Sequence, residues 1–278
     1  MKDLAIIACY IGERPWYFDL YIISCIKNPS IDFYLFLSFE PNLNKVPKNV
    51  FIESTDLITI NECASCYLGI TSKILSGYKL CDFKPTYGLL FQSRLSKYRF
   101  WAFSDIDVIY GNIRNFITKD LMEKYDIISI RHDFISGQFC LVKNNERMNN
   151  LFRESKDWKK VLESENHYCF DETGFKWDNF TEGLHYQDVN SEIESMTHVV
   201  KRLQEENKIN VHFDFLLVEG IPGNIKWENG KIYYKNKFEA LMYHFVLFKK
   251  LPYKTKIPDR EFNFFQISSS RIYNFKYL

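Results

Sequence analysis

No GxGxxG follows the first apolar run of this 278-residue chain, and no GxxxxGK[ST] occurs anywhere in it. A dinucleotide-binding Rossmann turn and a P-loop both need such glycines, which let backbone N–H groups close around a phosphate, so neither site is expected. An excess of charge of one sign is also missing. With 36 Lys+Arg against 35 Asp+Glu the net charge is +1, which supplies no global field of the kind nucleic-acid binders use, and nucleic acid is not an expected partner. No stretch approaches the length of a membrane span. The apolar run Leu4 to Tyr10 is too short for a signal peptide and carries no small-residue cleavage site. Seven cysteines, an odd number without a secretory signal, point to reduced thiols and a cytoplasmic location. Cys63-Ala-Ser-Cys66 has CxxC spacing but no second pair, so neither a zinc nor a redox site is favoured. No repeat, low-complexity segment or composition shift marks a linker, and the chain reads as one domain over 1–278.

What the chain has is apolar and aromatic material. Hydrophobic residues make up 46% and aromatics 17%, with Phe 25 and Tyr 18, enough for one large α/β core. Aromatic rings fill cores, and they also line carbohydrate and nucleotide pockets by stacking on sugars and bases. The run Leu4 to Tyr10, bounded by Gly12 and Pro15, predicts a buried first strand. A helix follows, with Trp16, Leu20, Ile23 and Ile26 at helical spacing until Asn28-Pro29. Strands are predicted over 32–38 and 49–53, and strand, helix, strand in that order means a parallel sheet with right-handed crossovers. Further on, the pattern predicts helices over 113–124 and 145–158, strands over 125–130 and 136–142, and a strongly polar surface helix over 191–207. Asn229-Gly230 marks a tight hairpin.

The chain is organised around Phe100-Trp-Ala-Phe-Ser104-Asp105-Ile-Asp107. The uninterrupted apolar run reads as a strand buried on both faces, and two carboxylates at its end must be paired, solvated or holding a cation. Residues two apart in an extended segment point the same way, so both carboxylates can face one point at the carboxyl end of the sheet, where ligands bind in open α/β folds. Two hard oxygen ligands completed by substrate phosphates suit Mg²⁺ or Mn²⁺. The plainer alternative is a pair of turn-capping aspartates. Lys79, Asp82 and Lys84 precede the next helix, where the lysines could meet phosphates and Asp82 a sugar; ordinary surface residues are the alternative. Gly137 opens a strand and allows backbone to approach a ligand. Asp171-Glu172 offers a general base or an N-cap. His244 sits in an aromatic run just before Lys249-Lys250.

These segments together resemble a family of bacterial GT-A type glycosyltransferases from capsule and O-antigen gene clusters. The resemblance is carried by Ala8-Cys-Tyr10-Ile-Gly12, Asn28-Pro29-Ser-Ile-Asp32-Phe33, Tyr78-Lys79-Leu-Cys-Asp82-Phe-Lys84-Pro85-Thr-Tyr87-Gly88, Ser104-Asp105-Ile-Asp107-Val-Ile-Tyr110-Gly111-Asn112, Phe170-Asp171-Glu172 and Tyr243-His244-Phe245. It implies a GT-A-like, Rossmann-like α/β fold with a mostly parallel central sheet flanked by helices and a C-terminal elaboration. Residues 1–112 would form the nucleotide-sugar half, and 113–278 the acceptor half with a closing tail. The implied donor is a nucleotide sugar, foremost a UDP-sugar, bound by Ala8, Tyr10, Lys79, Asp82, Lys84, Asp105, Gly137, Lys249 and Lys250. A Mn²⁺ or Mg²⁺ ion would sit on Asp105 and Asp107, with His244 at the position of a late histidine ligand. The acceptor would be a saccharide or lipid-linked saccharide, which allows peripheral association with the inner face of the membrane. Asp171 or Glu172 would serve as base in an inverting reaction; a retaining one needs none. The rivals are a Mg-dependent phosphatase, which fits poorly because its Asp-x-Asp usually opens the domain, and a non-catalytic saccharide-binding protein of the same ancestry.

Overall fold

The apolar runs become strands. In a computed structural model that describes residues 2–251 and 263–273, the chain forms β1 (Leu4–Tyr10), β2 (Asp32–Leu37), β3 (Val50–Ser54), β4 (Phe100–Ser104), β5 (Val108–Tyr110), β6 (Ile127–Ser129) and β7 (Phe139–Lys143). It continues through β8 (Val211–Phe213), β9 (Leu217–Glu219), β10 (Ile225–Glu228), β11 (Lys231–Tyr234), β12 (Phe238–Ala240), β13 (Met242–His244), β14 (Phe264–Ile267) and β15 (Ile272–Tyr273). The principal sheet runs β3-β2-β1-β4-β7-β6-β8. Its first four strands are parallel, with a helix between β1 and β2 and helices between β3 and β4, while β2 and β3 are joined by the loop 38–49 alone. The rest departs from the expected mostly parallel pattern: β7 lies antiparallel to both β4 and β6, while β8 returns parallel to β6. The physical reason is the connection. The short loop 130–138 contains no helix long enough for a crossover, so the chain can only turn back beside β6. The architecture is therefore α/β with a mixed central sheet.

Alternation along the strands divides the interior into two cores. Leu4, Ile6, Ala8, Phe100 and Ala102 face one layer, covered by helix α1 (Phe18–Ile26), and Ala5, Ile7, Trp101 and Phe103 face the other, covered by α2 (Leu57–Leu68). All five residues of β4 are buried, as expected for a strand buried on both faces.

Three helical expectations are corrected. The 191–207 segment forms a helix only over Met196–Glu205, and it is not a polar surface element: Met196, Val199, Val200 and Leu203 recur at i, i+3, i+4 and i+7 and pack into the second core. The 145–158 segment breaks into Glu146–Asn149, Leu151–Glu154 and a helix starting at Trp158. Asn149 turns its side chain to accept from Trp101 Nε1 at 2.8 Å and to donate to Asn144 at 2.8 Å, competing with a continuous helix. The 113–124 segment likewise splits into Ile113–Asn115 and Lys119–Lys124, the second capped by Thr118.

Two smaller sheets complete the chain. An antiparallel sheet, β12-β11-β10-β14-β15, is built on the predicted hairpin, with Asn229 at φ 50° and Gly230 at φ 82° in the left-handed turn. A three-stranded sheet, β5-β13-β9, carries the late histidine back to the aspartates.

Asn28, read in sequence as a helix breaker at the head of the Asn28–Phe33 segment, bolts this arrangement together. Its buried amide donates to Ser24 O at 3.0 Å and Gly111 O at 2.9 Å, and its Oδ1 accepts from Ile113 N at 3.0 Å. Asn28→Ala strands buried backbone groups at the end of β5 and should destabilise the protein by about 2–4 kcal/mol in chemical denaturation. A change within error would show that these bonds are replaced.

Candidate metal and anion site

β4 ends at Ser104, and the next three residues form a tight link to β5. Ile106 is buried and anchors the link, so Asp105 and Asp107 flank it and turn toward one space. The backbone is tied on both sides: Asp105 N donates to Gln138 O at 3.2 Å, and Phe245 N donates to Asp107 O at 2.8 Å. The second bond belongs to β13, whose antiparallel register sets His244 opposite Val108. As a result one ligand atom from each of Asp105, Asp107 and His244 lies within 4.8 Å of the others. His244 Nε2 stands 3.4 Å from Asp107 Oδ2, and Nδ1 stands 3.6 Å from Glu219 Oε2 on the neighbouring β9. Nδ1 is buried with no hydrogen bond. Glu219 is held in turn by Arg131 at 2.6 Å, which also grips Asp133 at 2.8 Å.

Burial opposes the charges of Asp107 and His244, and their partners outweigh it. Desolvation would raise the Asp107 pKa, but His244 and Lys249 hold it well below the usual carboxylate range. Desolvation would lower that of His244, but Asp107 and Glu219 push it up to about 9. Lys249 Nζ hydrogen-bonds Asp107 Oδ2. Lys84, buried, reaches Asp105 Oδ1 at 2.7 Å, Gly137 O at 2.8 Å and Asp171 Oδ2 at 3.3 Å; burial would lower its pKa, but the acidic groups around it, Asp105 foremost, raise it well above the ordinary value. Two carboxylates and an imidazole form a donor set that divalent cations accept, and Nε2, the ring nitrogen that faces Asp107, is the one that would meet an ion at this point, with Glu219 behind Nδ1. Because imidazole ligates only when neutral, such an ion would displace a proton from His244.

The cluster opens onto a cleft of about 390 Å³. Cys9, Tyr10 and Ile11 line it from the end of β1, Tyr17 from the approach to α1, Tyr78, Cys81 and Lys84 from the segment before the helix at Tyr87, and Lys249 from the tail. Tyr10, Lys84, Asp105, Asp107 and Lys249 thus come together from both halves of the chain. The remaining expected residues do not line this cleft. Ala8 is sealed in the core beneath β1, and Lys250 is exposed to solvent. Lys79 and Asp82 are completely buried against each other at 2.9 Å; Lys79 also donates to Val161 O and Asn166 O, and Asp82 accepts from Tyr168 N and Phe170 N. With every valence used internally, neither reaches a donor. In the second acidic cluster, Asp82–His167–Asp171, Asp82 is committed to Lys79 and to backbone N–H groups, while His167 Nε2 is buried without a hydrogen bond. Asp171 lies behind Lys84, and burial raises its pKa well above the carboxylate range although Lys84 counters it. Glu172 accepts from Gly137 N at 2.7 Å and Trp177 Nε1 at 2.8 Å. A Cβ at Gly137 would lie 2.7 Å from Asp171 and 2.8 Å from Glu172, so the glycine makes room for these carboxylates rather than for a ligand. Arg131 and Glu219, the supports of His244, carried no local signal: they lie in separate segments that only strand pairing unites.

The fold and this cluster define an α/β protein with a mixed sheet and an Asp–Asp–His site able to hold a metal ion. The chain belongs to a family of unknown function, DUF6625, whose profile matches residues 6–276. No curated protein matches it. No described helix is long and apolar enough to cross a membrane.

The charge state of His244 makes metal-free stability depend on pH. Its folded pKa of about 9 lies above the ordinary 6.5, so its stabilising contribution is fully present below about 6.5 and is lost as pH rises through about 9. In EDTA, the wild-type melting temperature should fall by several degrees across that window, and His244→Gln should flatten the fall. Identical profiles for the two proteins would refute the assignment.

Proposed function

We propose that the protein is a metal-dependent glycosyltransferase of GT-A-like architecture. It transfers a sugar from a nucleotide-sugar donor, foremost a UDP-sugar, to a saccharide or lipid-linked saccharide acceptor in surface polysaccharide synthesis, at the cytoplasmic face of the membrane. The observation that carries this reading is the convergence of Asp105, Asp107 and His244 beyond the carboxyl end of β4, with the two aspartates lining a cleft beside Lys84 and Lys249. Its volume, about 390 Å³, suits a small-molecule ligand. The four parallel strands β3-β2-β1-β4 place the cleft where open α/β sheets bind ligands.

Mn²⁺ or Mg²⁺ held by Asp105, Asp107 and His244 would supply Lewis acidity toward a departing diphosphate. The chain's own groups do the rest. Tyr10 and Tyr17 provide aromatic surface at the end of β1 for the nucleoside. Lys249, partly exposed and paired to Asp107, is free to share its charge with a phosphate. Lys84 is locked between Asp105 and Asp171 and fixes the orientation of the first. Asp171 is thereby a positioning residue for Lys84, and Glu172 for Trp177; neither lines the cleft as an acceptor base would.

One observation favours a second reading, a saccharide-binding protein without turnover: Lys84, Lys249 and His244 already compensate both aspartates without a metal. The experiment is to screen nucleotide sugars for nucleoside-diphosphate release with Mn²⁺ and with EDTA. Release should require the metal, and Asp107→Asn should lower it by about a hundredfold or more while the melting temperature stays within a few degrees of wild type. Undiminished release in EDTA would overturn the metal assignment. Binding of Mn²⁺ and UDP without release from any donor would favour the second reading.

A further inference from the structure

A row of aromatic rings leaves the mouth of the cleft and runs across the surface. Tyr78, which lines the cleft, is 72% exposed; its ring lies 6.3 Å from that of His167, which lies 5.3 Å from Phe175, which lies 5.6 Å from Trp177. Phe175 and Trp177 are 49% and 38% exposed. Scattered surface aromatics need no explanation, but a continuous row does. This one is held in place at a cost. Phe175 adopts φ 65°, a left-handed conformation that a bulky side chain disfavours, and Cys169 does so at φ 53°. An aromatic ring displayed to water from a strained backbone gains nothing for folding.

The supports of the row are the residues left without a role in the cleft. Lys79 ties the segment carrying Tyr78 to the carbonyls of Val161 and Asn166, next to His167. Asp82 takes the backbone N–H groups of Tyr168 and Phe170. Glu172 holds the indole N–H of Trp177, and Gly174 N donates to Cys169 O at 2.9 Å to close the loop. The buried Lys79–Asp82 pair and Glu172 thus act as the frame of a rigid aromatic shelf.

We infer that this shelf, Tyr78–His167–Phe175–Trp177, is the binding platform for the saccharide acceptor. Aromatic faces stack on the C–H faces of pyranose rings, and a prepaid rigid arrangement limits the ordering cost of binding a flexible chain. Its continuity with the cleft at Tyr78 brings an acceptor hydroxyl toward the metal and anion site. The inference rests on the glycosyl-transfer reading for the word acceptor; the saccharide platform itself can be tested apart from it.

The test compares wild type with Tyr78→Ala, Phe175→Gly and Trp177→Ala on a glycan microarray, alongside calorimetric titration of Mn²⁺ with UDP. Wild type should retain one class of glycan, and each variant should bind that class about tenfold more weakly, with Mn²⁺–UDP affinity unchanged in Phe175→Gly and Trp177→Ala, whereas Tyr78→Ala, whose ring also lines the cleft, is read for glycan binding alone. Phe175→Gly guards against a folding artefact: glycine relieves the left-handed strain, so its melting temperature should hold or rise while glycan binding falls. Absence of glycan binding by wild type, or wild-type glycan binding by all three variants, would overturn the platform and leave the cleft assignment standing if Mn²⁺–UDP still binds. Loss of glycan binding in the variants, with no Mn²⁺–UDP binding by any protein, would uphold the platform and remove the transfer reading.

Discussion

The ammonium of Lys84 is the point on which this structure turns. It comes from the segment before the helix at Tyr87 and meets Asp105 from the end of β4, the Gly137 carbonyl from the approach to β7, and Asp171 from the loop after Phe170. Asp171 is almost fully buried, where a carboxylate without a cation costs several kcal/mol, while Asp105 is partly exposed at the cleft. One lysine therefore makes four segments mutually dependent. A second chain of charge runs alongside it, from Lys249 to Asp107, His244, Glu219 and Arg131. Alternation of sign along both chains lets a crowded acidic site persist next to two hydrophobic cores.

The same alternation bears on chemistry. The anions of this site are matched by two lysines and a protonated imidazole, which offsets their mutual repulsion. The competing cations set the terms on which a divalent ion enters, because it must release a proton from His244 and loosen Lys249. Lys249 stands at the rim, half-exposed, so it can exchange one anionic partner for another, whereas buried Lys84 cannot.

The small sheet β5-β13-β9 is modest in size and large in consequence. Its pairings bring residues 107, 219 and 244 to one place, and they leave no slack: a Cβ at Gly111 would sit 2.6 Å from Ala240 O. The strands are three residues each, too short to be stable alone, and they exist because Tyr110, Met242 and Tyr243 are buried in the first core. Packing therefore holds the late histidine in position, rather than any strong local preference of the tail.

By itself the sequence determined the continuous apolar runs of β1, β2 and β4, the crossover helix α1, the Asn229-Gly230 hairpin and the acidic end of β4. These are local features, written in side-chain periodicity and turn chemistry that neighbouring residues alone dictate. Tertiary structure decided the rest. The antiparallel entry of β7 followed from a loop too short to cross over, and the stripe buried by Met196, Val199, Val200 and Leu203 was diluted by charged residues on the opposite face. Whether Lys79, Lys84 and Lys249 faced a ligand, a carbonyl or a carboxylate could not be read from their neighbours, since a lysine's role depends on which distant anion it meets. Asp82, Gly137 and Glu172 were legible as special residues, but their work is internal, because hydrogen-bond partners far away in sequence use up their capacity before any ligand arrives.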